Sequence, residues 1–133
     1  KTENHNQNEG LIKVAALLIH AAKIDENYSQ HEEEIIKKTL LELGASDKNI
    51  NNIMKDGTII EKDSNQILEF TKEVKSMDNK DKIKITENLW RIIYSNKEAD
   101  IYETSLMRRL AGLLYIDNKM MGDIKNKIKN EYT

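Results

Sequence analysis

Between Leu11 and Ala22 the chain is apolar on almost every face of a helix, interrupted by Lys13 and His20. A helix hydrophobic all round has to be wrapped by other elements. The run is too short to span a bilayer, which takes ~20 apolar residues, so the wrapping must come from protein. The chain has 133 residues, no Pro and five Gly, too little turn punctuation for a sandwich or barrel. The reading is an all-α, single-domain bundle of six or seven helices over residues 9–131, built around this central helix. Residues 1–8 are polar and aperiodic and read as a mobile tail.

Composition narrows function mostly by exclusion. The chain has no Cys, which removes a disulfide scaffold, a cysteine nucleophile and a thiolate zinc site. A net charge of −2 lacks the electrostatic footprint of a nucleic-acid binder. Eighteen of the 21 basic residues are Lys, and with Ile and Asn they share A/T-rich codons. Interleaved with Asp and Glu, they read as a solvated surface. There is no Gly-x-Ser-x-Gly elbow, phosphate-cradling Gly-rich loop or His-Glu-x-x-His zinc helix, so an enzyme is not expected. The expected partner is another protein rather than nucleic acid, with no membrane span and the oligomeric state open. The ten residues before Leu11 carry two Glu, unlike a signal peptide's basic start. The first residue is Lys1 rather than Met, which reads as a truncated or processed N-terminus, with the cytoplasm as default location.

Punctuation marks the remaining helices. Ser29 followed by Glu32 ahead of Ile35, Ile36, Leu40 and Leu43 is a capping box, and Gly44 supplies the C-terminal stop. Ser46 or Asp47 caps a short helix through Ile50, Ile53 and Met54, with a break near Asp56-Gly57. Ile67, Phe70, Thr71 and Val74 predict a helix over 64–76. Asp78 caps a long helix carrying Ile85, Leu89, Trp90 and Ile93. Asp100 with Glu103 forms a second capping box, and Asp117 caps a last helix bearing Met120, Met121, Ile124 and Ile128.

An offset of 71 residues superimposes the first of these signals on the second: Leu18 on Leu89, Ser29 on Asp100, Glu32 on Glu103, Ile35 on Leu106. Both copies read as apolar helix, polar turn, cap, apolar helix, and so as two pseudo-symmetric halves. Each turn also carries oxygen side chains at alternate positions, the donors a hard cation such as calcium prefers. Asp25, Asn27 and Glu32 are the candidate ligands of the first site; Glu98, Asp100 and Glu103 are those of the second. Neither is an EF-hand, because the Gly and Glu positions of that loop hold Gln30 and Ile36, or Ile101 and Met107. The competing reading makes Ser29, Glu32, Asp100 and Glu103 helix caps and nothing more. His20 reads as a hydrogen-bonded core residue, and His31 as exposed.

The segments VAALLIHAAKIDENYSQHEEEII and NLWRIIYSNKEADIYETSLMRRLAGLL, with ILEFTKEV upstream of the second, resemble the TerB-like family, named for tellurite-resistance proteins. Its motif is Ala-x-Ala-Asp-Gly, then an acidic turn and a Glu that opens the next helix. The resemblance covers roughly residues 11–130 and favours the short stand-alone members. It implies an all-helical fold with two related halves, and metal ions at the acidic turns. Carried over by position, the implied ligands are Asp25 and Glu32 in the first copy and Glu103 in the second. The motif Gly is replaced by Glu26 and Lys97, and the second motif Asp by Asn96, which lowers the cation affinity expected of the second turn. Tellurite resistance itself does not follow from the resemblance. The functional expectation is a helical binding module with a divalent cation at its turns; the alternative is a structural adaptor whose turns only cap helices.

Overall fold

The computed structural model describes residues 2–24, 28–64, 67–95 and 99–132. Among them the chain forms seven helices: α1 (Thr2–Lys23), α2 (Gln30–Glu42), α3 (Ile50–Asp63), α4 (Leu68–Lys75), α5 (Asn79–Tyr94), α6 (Ile101–Leu113) and α7 (Asn118–Glu131). The apolar run is the axis of the bundle. Every residue from Val14 to Ile19 is fully buried, and α1 packs against α2, α3, α4 and α5. α7 closes over α5, and α6 rests on α4.

The helix ends follow the repeat. α1 and α5 finish at Lys23 and Tyr94, α2 and α6 begin at Gln30 and Ile101, and both pairs differ by 71 residues. α2 and α6 also terminate alike. The amide of Ala45 donates to the Leu40 carbonyl at 2.9 Å and that of Gly44 to Leu41 at 3.2 Å; Ile116 donates to Ala111 at 2.9 Å and Tyr115 to Gly112 at 3.4 Å. Both are Schellman motifs, which need one residue in the left-handed region. That residue is Gly44 (φ 121°) in the first half and Tyr115 (φ 58°) in the second.

Five local expectations are corrected. α3 does not break at Asp56-Gly57 but runs through it. Gly57 is instead the point where α3 meets α1: a Cβ there would lie 2.8 Å from the Ala15 Cβ and 3.3 Å from the Ala16 nitrogen. Neither Ser46 nor Asp47 caps α3; the N-cap is Asn49, whose side-chain carbonyl instead accepts from the Ser46 amide at 2.8 Å. Of the helix read over 64–76, Leu68–Lys75 is helical, Ser64 and Ile67 stand outside the helix, and residues 65–66 lie outside the described residues. Asp78 is the N-cap of α5, but its side chain makes no capping bond. At the N-terminus the backbone assigned to a tail is helical from Thr2, because nothing in that polar stretch interrupts the hydrogen bonding that the apolar run propagates.

Candidate functional site: the two capped turns

Each turn delivers the chain from a buried helix into a capped one. Ser29 is extended (φ −97°, ψ 167°) and so is Asp100 (φ −85°, ψ 178°), leaving their side chains free to fold over the helix start. In the first half the Glu32 amide donates to Ser29 Oγ at 3.2 Å, and the Ser29 amide donates to Glu32 Oε1 at 2.8 Å. In the second, the Glu103 amide donates to Asp100 Oδ1 at 2.8 Å, and the Asp100 amide to Glu103 Oε1 at 3.1 Å. Both capping boxes read from the sequence are therefore complete. Their glutamates are buried, at 1% and 2% exposure, and a carboxylate is seldom that deep unless partnered.

Beside the first box stands Tyr28, half-buried. Its hydroxyl is pushed up to about 12, first by burial and then by the negative charges of Glu33 and Glu32. Among the described residues, no three His, Asp or Glu side chains converge as a metal cage. Asp25, Asn27 and Glu98 lie outside the described residues. The candidate ligands within them are all oxygen donors, which suits a hard cation, but Glu32, Asp100 and Glu103 each commit one oxygen to a backbone amide.

The structure adds two residues that the sequence reading passed over. The helix entering each turn is clamped to the last helix of its half by a glutamate. Glu61 of α3 accepts from Lys23 Nζ at 2.8 Å and lies 3.2 Å from His20 Nδ1. Glu131 of α7 takes a forked pair from Arg91, both bonds 2.9 Å. His20 is thus hydrogen-bonded as expected but half-exposed rather than core, and His31 is exposed as read. His20 and Arg91 are related by the repeat offset, and each has its Glu some forty residues downstream. That spacing was the available signal. In the second half the forked bond dominates the electrostatics, raising the Arg91 guanidinium and lowering the Glu131 carboxyl from their ordinary values.

With two halves of matching cap, turn and stop in place, comparison with known families is decisive: the family model for tellurite resistance protein TerB matches residues 11–126. The chain belongs to the TerB family. Neither the curated proteins nor the solved structures gave a match. The matched stretch begins at the first residue of the apolar run and ends inside α7, so both turns and the Glu61 clamp of this TerB-family chain fall within it, while Glu131 lies beyond its end. No helix among the described residues is long and apolar enough to cross a membrane.

Proposed function

We propose that this TerB-family chain works by binding rather than catalysis. A hard divalent cation at each acidic turn pins the two flanking helices and so shapes a surface for a protein partner. One observation carries the reading: both halves set a buried glutamate, Glu32 or Glu103, in the same capping geometry directly after an inter-helix turn rich in oxygen side chains. Asp25 and Asn27 complete the first donor set with Glu32; Glu98 and Asp100 complete the second with Glu103. The second set is the weaker, since Asn96 and Lys97 replace a carboxylate and a neutral residue in that turn.

The test is a thermal melt of chelator-treated protein against a panel of divalent cations. A cation at ~100 times its dissociation constant adds about 2.7 kcal/mol to the native state, several degrees for a domain of this size. A rise with one cation that Asp25→Ala abolishes is the expected result; a flat panel rejects the cation. The completeness of both capping boxes favours a second reading, in which the glutamates are caps alone within a structural adaptor. It predicts the flat panel together with a loss of ~0.5–2 kcal/mol for Ser29→Ala.

A further inference from the structure

The molecule contains its own control for what a solvated helix face looks like. At the repeat offset, Gln30, His31, Glu34, Lys37 and Lys38 of α2 stand where α6 has Ile101, Tyr102, Ser105, Arg108 and Arg109. The α2 face mixes charges of both signs. The α6 face is apolar at its N-terminal end, small in the middle and basic at its C-terminal end. Ile101 and Tyr102 are 74% and 72% exposed, and Ser105, Arg108 and Arg109 are exposed with them. Among the described residues neither guanidinium has a carboxylate partner. A groove of about 640 Å³ lined by Ile24, Tyr102, Ser105, Leu106 and Arg109 runs alongside. Gaining Tyr and Arg while losing Glu and Lys is the compositional change that separates interface centres from ordinary surface.

We propose that this face is a homodimer interface, in which two copies pack α6 against α6 antiparallel about a twofold axis at Ser105. The stripe is complementary to itself about that residue. Tyr102 and Arg108 are equidistant from Ser105 along the helix, and so are Ile101 and Arg109. A twofold axis there sets each Arg108 over the Tyr102 ring of the other copy, a cation–π contact. It brings each Arg109, with its groove, alongside the exposed Ile101 of the other copy, so the aliphatic stem of each arginine packs on the apolar end of the other stripe. Like charges part: the two Arg108 groups end up ~9 Å apart along the axis at 1.5 Å per residue, about one Debye length at physiological salt. Ser105 is small enough for a close crossing, and antiparallel helix dipoles favour the arrangement. The inference rests on the binding-module reading but not on its cation.

The chain has no Cys, so single-cysteine variants report one position at a time. All measurements use the full chain with chelator present, which separates this test from the cation panel. Sedimentation velocity on rising concentration is expected to show a monomer–dimer equilibrium. Tyr102→Glu is expected to weaken it at least tenfold while helical circular dichroism is unchanged. Ser105→Cys, on the axis, is expected to form a disulfide-linked dimer under mild oxidation, whereas Glu34→Cys at the same register of α2 forms no covalent dimer. A chain still monomeric at about 1 mM, or a Ser105→Cys variant that cross-links no faster than Glu34→Cys, overturns the proposal. Capture of a glutamate-rich peptide by such a monomer would assign the face to an acidic partner instead.

Discussion

The two halves share a plan and fill it with different chemistry. In the first, α1 and α3 are pressed together where Gly57 meets Ala15. At the repeat offset these positions are Ile128 on α7 and Thr86 on α5, both fully buried, so branched side chains stand where the first half has glycine and alanine. The second half also places Trp90 there, stacked on Tyr94 at 5.8 Å between ring centres, with its indole N–H donating to the Met121 sulfur at 3.3 Å. The clamps differ in the same sense. Glu61 is nearly buried while Glu131 is well exposed. The first half is therefore held by close backbone approach and an occluded carboxylate, the second by side-chain bulk and a forked surface pair.

Exchanging the spacers breaks the comparison hardest. Gly57→Ile imports the second half's residue into a site with no room even for a methyl group. Helix propensity favours the change by ~0.5 kcal/mol, but separating α1 from α3 costs more, and we expect a net loss of about 2–3 kcal/mol by urea unfolding. Ile128→Ala leaves a cavity in the core of the second half and should cost ~2–5 kcal/mol. If Gly57→Ile were neutral, the close approach would not be what joins the first half.

Much of this plan is local and so was legible. Ser29 with Glu32, and Asp100 with Glu103, bond across three residues, so the residue types alone specify the geometry. The 71-residue offset extends that reading to whole helices. What escaped was non-local. Gly57 looks like a helix break from its neighbours in sequence, and only the surface of α1 makes it a contact. Glu61 and Glu131 sit among many other carboxylates in a chain that is 33% charged, and apart from their similar spacing to His20 and Arg91 nothing marks a partner some forty residues upstream. Asp78 shows the converse: the residue stands at the N-cap, but its ψ of 149° and φ of −57° come without the side-chain bond its type predicts.

The clamps give the intermediate effects. Glu61→Gln leaves Lys23 facing a neutral amide in an occluded site and should cost ~1–3 kcal/mol. Glu131→Gln acts on an exposed pair, worth ~0–1 kcal/mol. The sign with pH is set by Arg91, which holds the Glu131 carboxyl below its ordinary value. A lowered folded-state pKa contributes stability above the unfolded carboxylate value, and loses it as pH falls through the folded one. Wild-type stability should thus decline on acidification by slightly more than that of Glu131→Gln, measured as paired denaturation midpoints from neutral to acid pH. Identical slopes would mean that the forked bond does not survive in solution.

The smallest and most discriminating test concerns the helix stops. Gly44 and Tyr115 perform the same turn in the same motif, yet only glycine enters the left-handed region without penalty; another residue costs ~1–2 kcal/mol there. Tyr115 recovers part of this by contact. Its ring lies 4.3 Å beneath Lys75 Nζ and its hydroxyl accepts from the same amine at 3.3 Å, which ties α6 to the end of α4. Such an exposed cation–π contact is worth ~0.5–1 kcal/mol, less than the strain. Tyr115→Gly is therefore expected to stabilise the protein by a few tenths of a kcal/mol up to ~1, and Gly44→Tyr, at a φ of 121° that suits a side chain still less than the 58° of Tyr115, to destabilise it. A thermal melt of each variant decides the sign. If Tyr115→Gly lowered the midpoint, the α4–α6 tie would outweigh the backbone strain, and the second half would owe its stop to a tertiary contact where the first owes it to glycine.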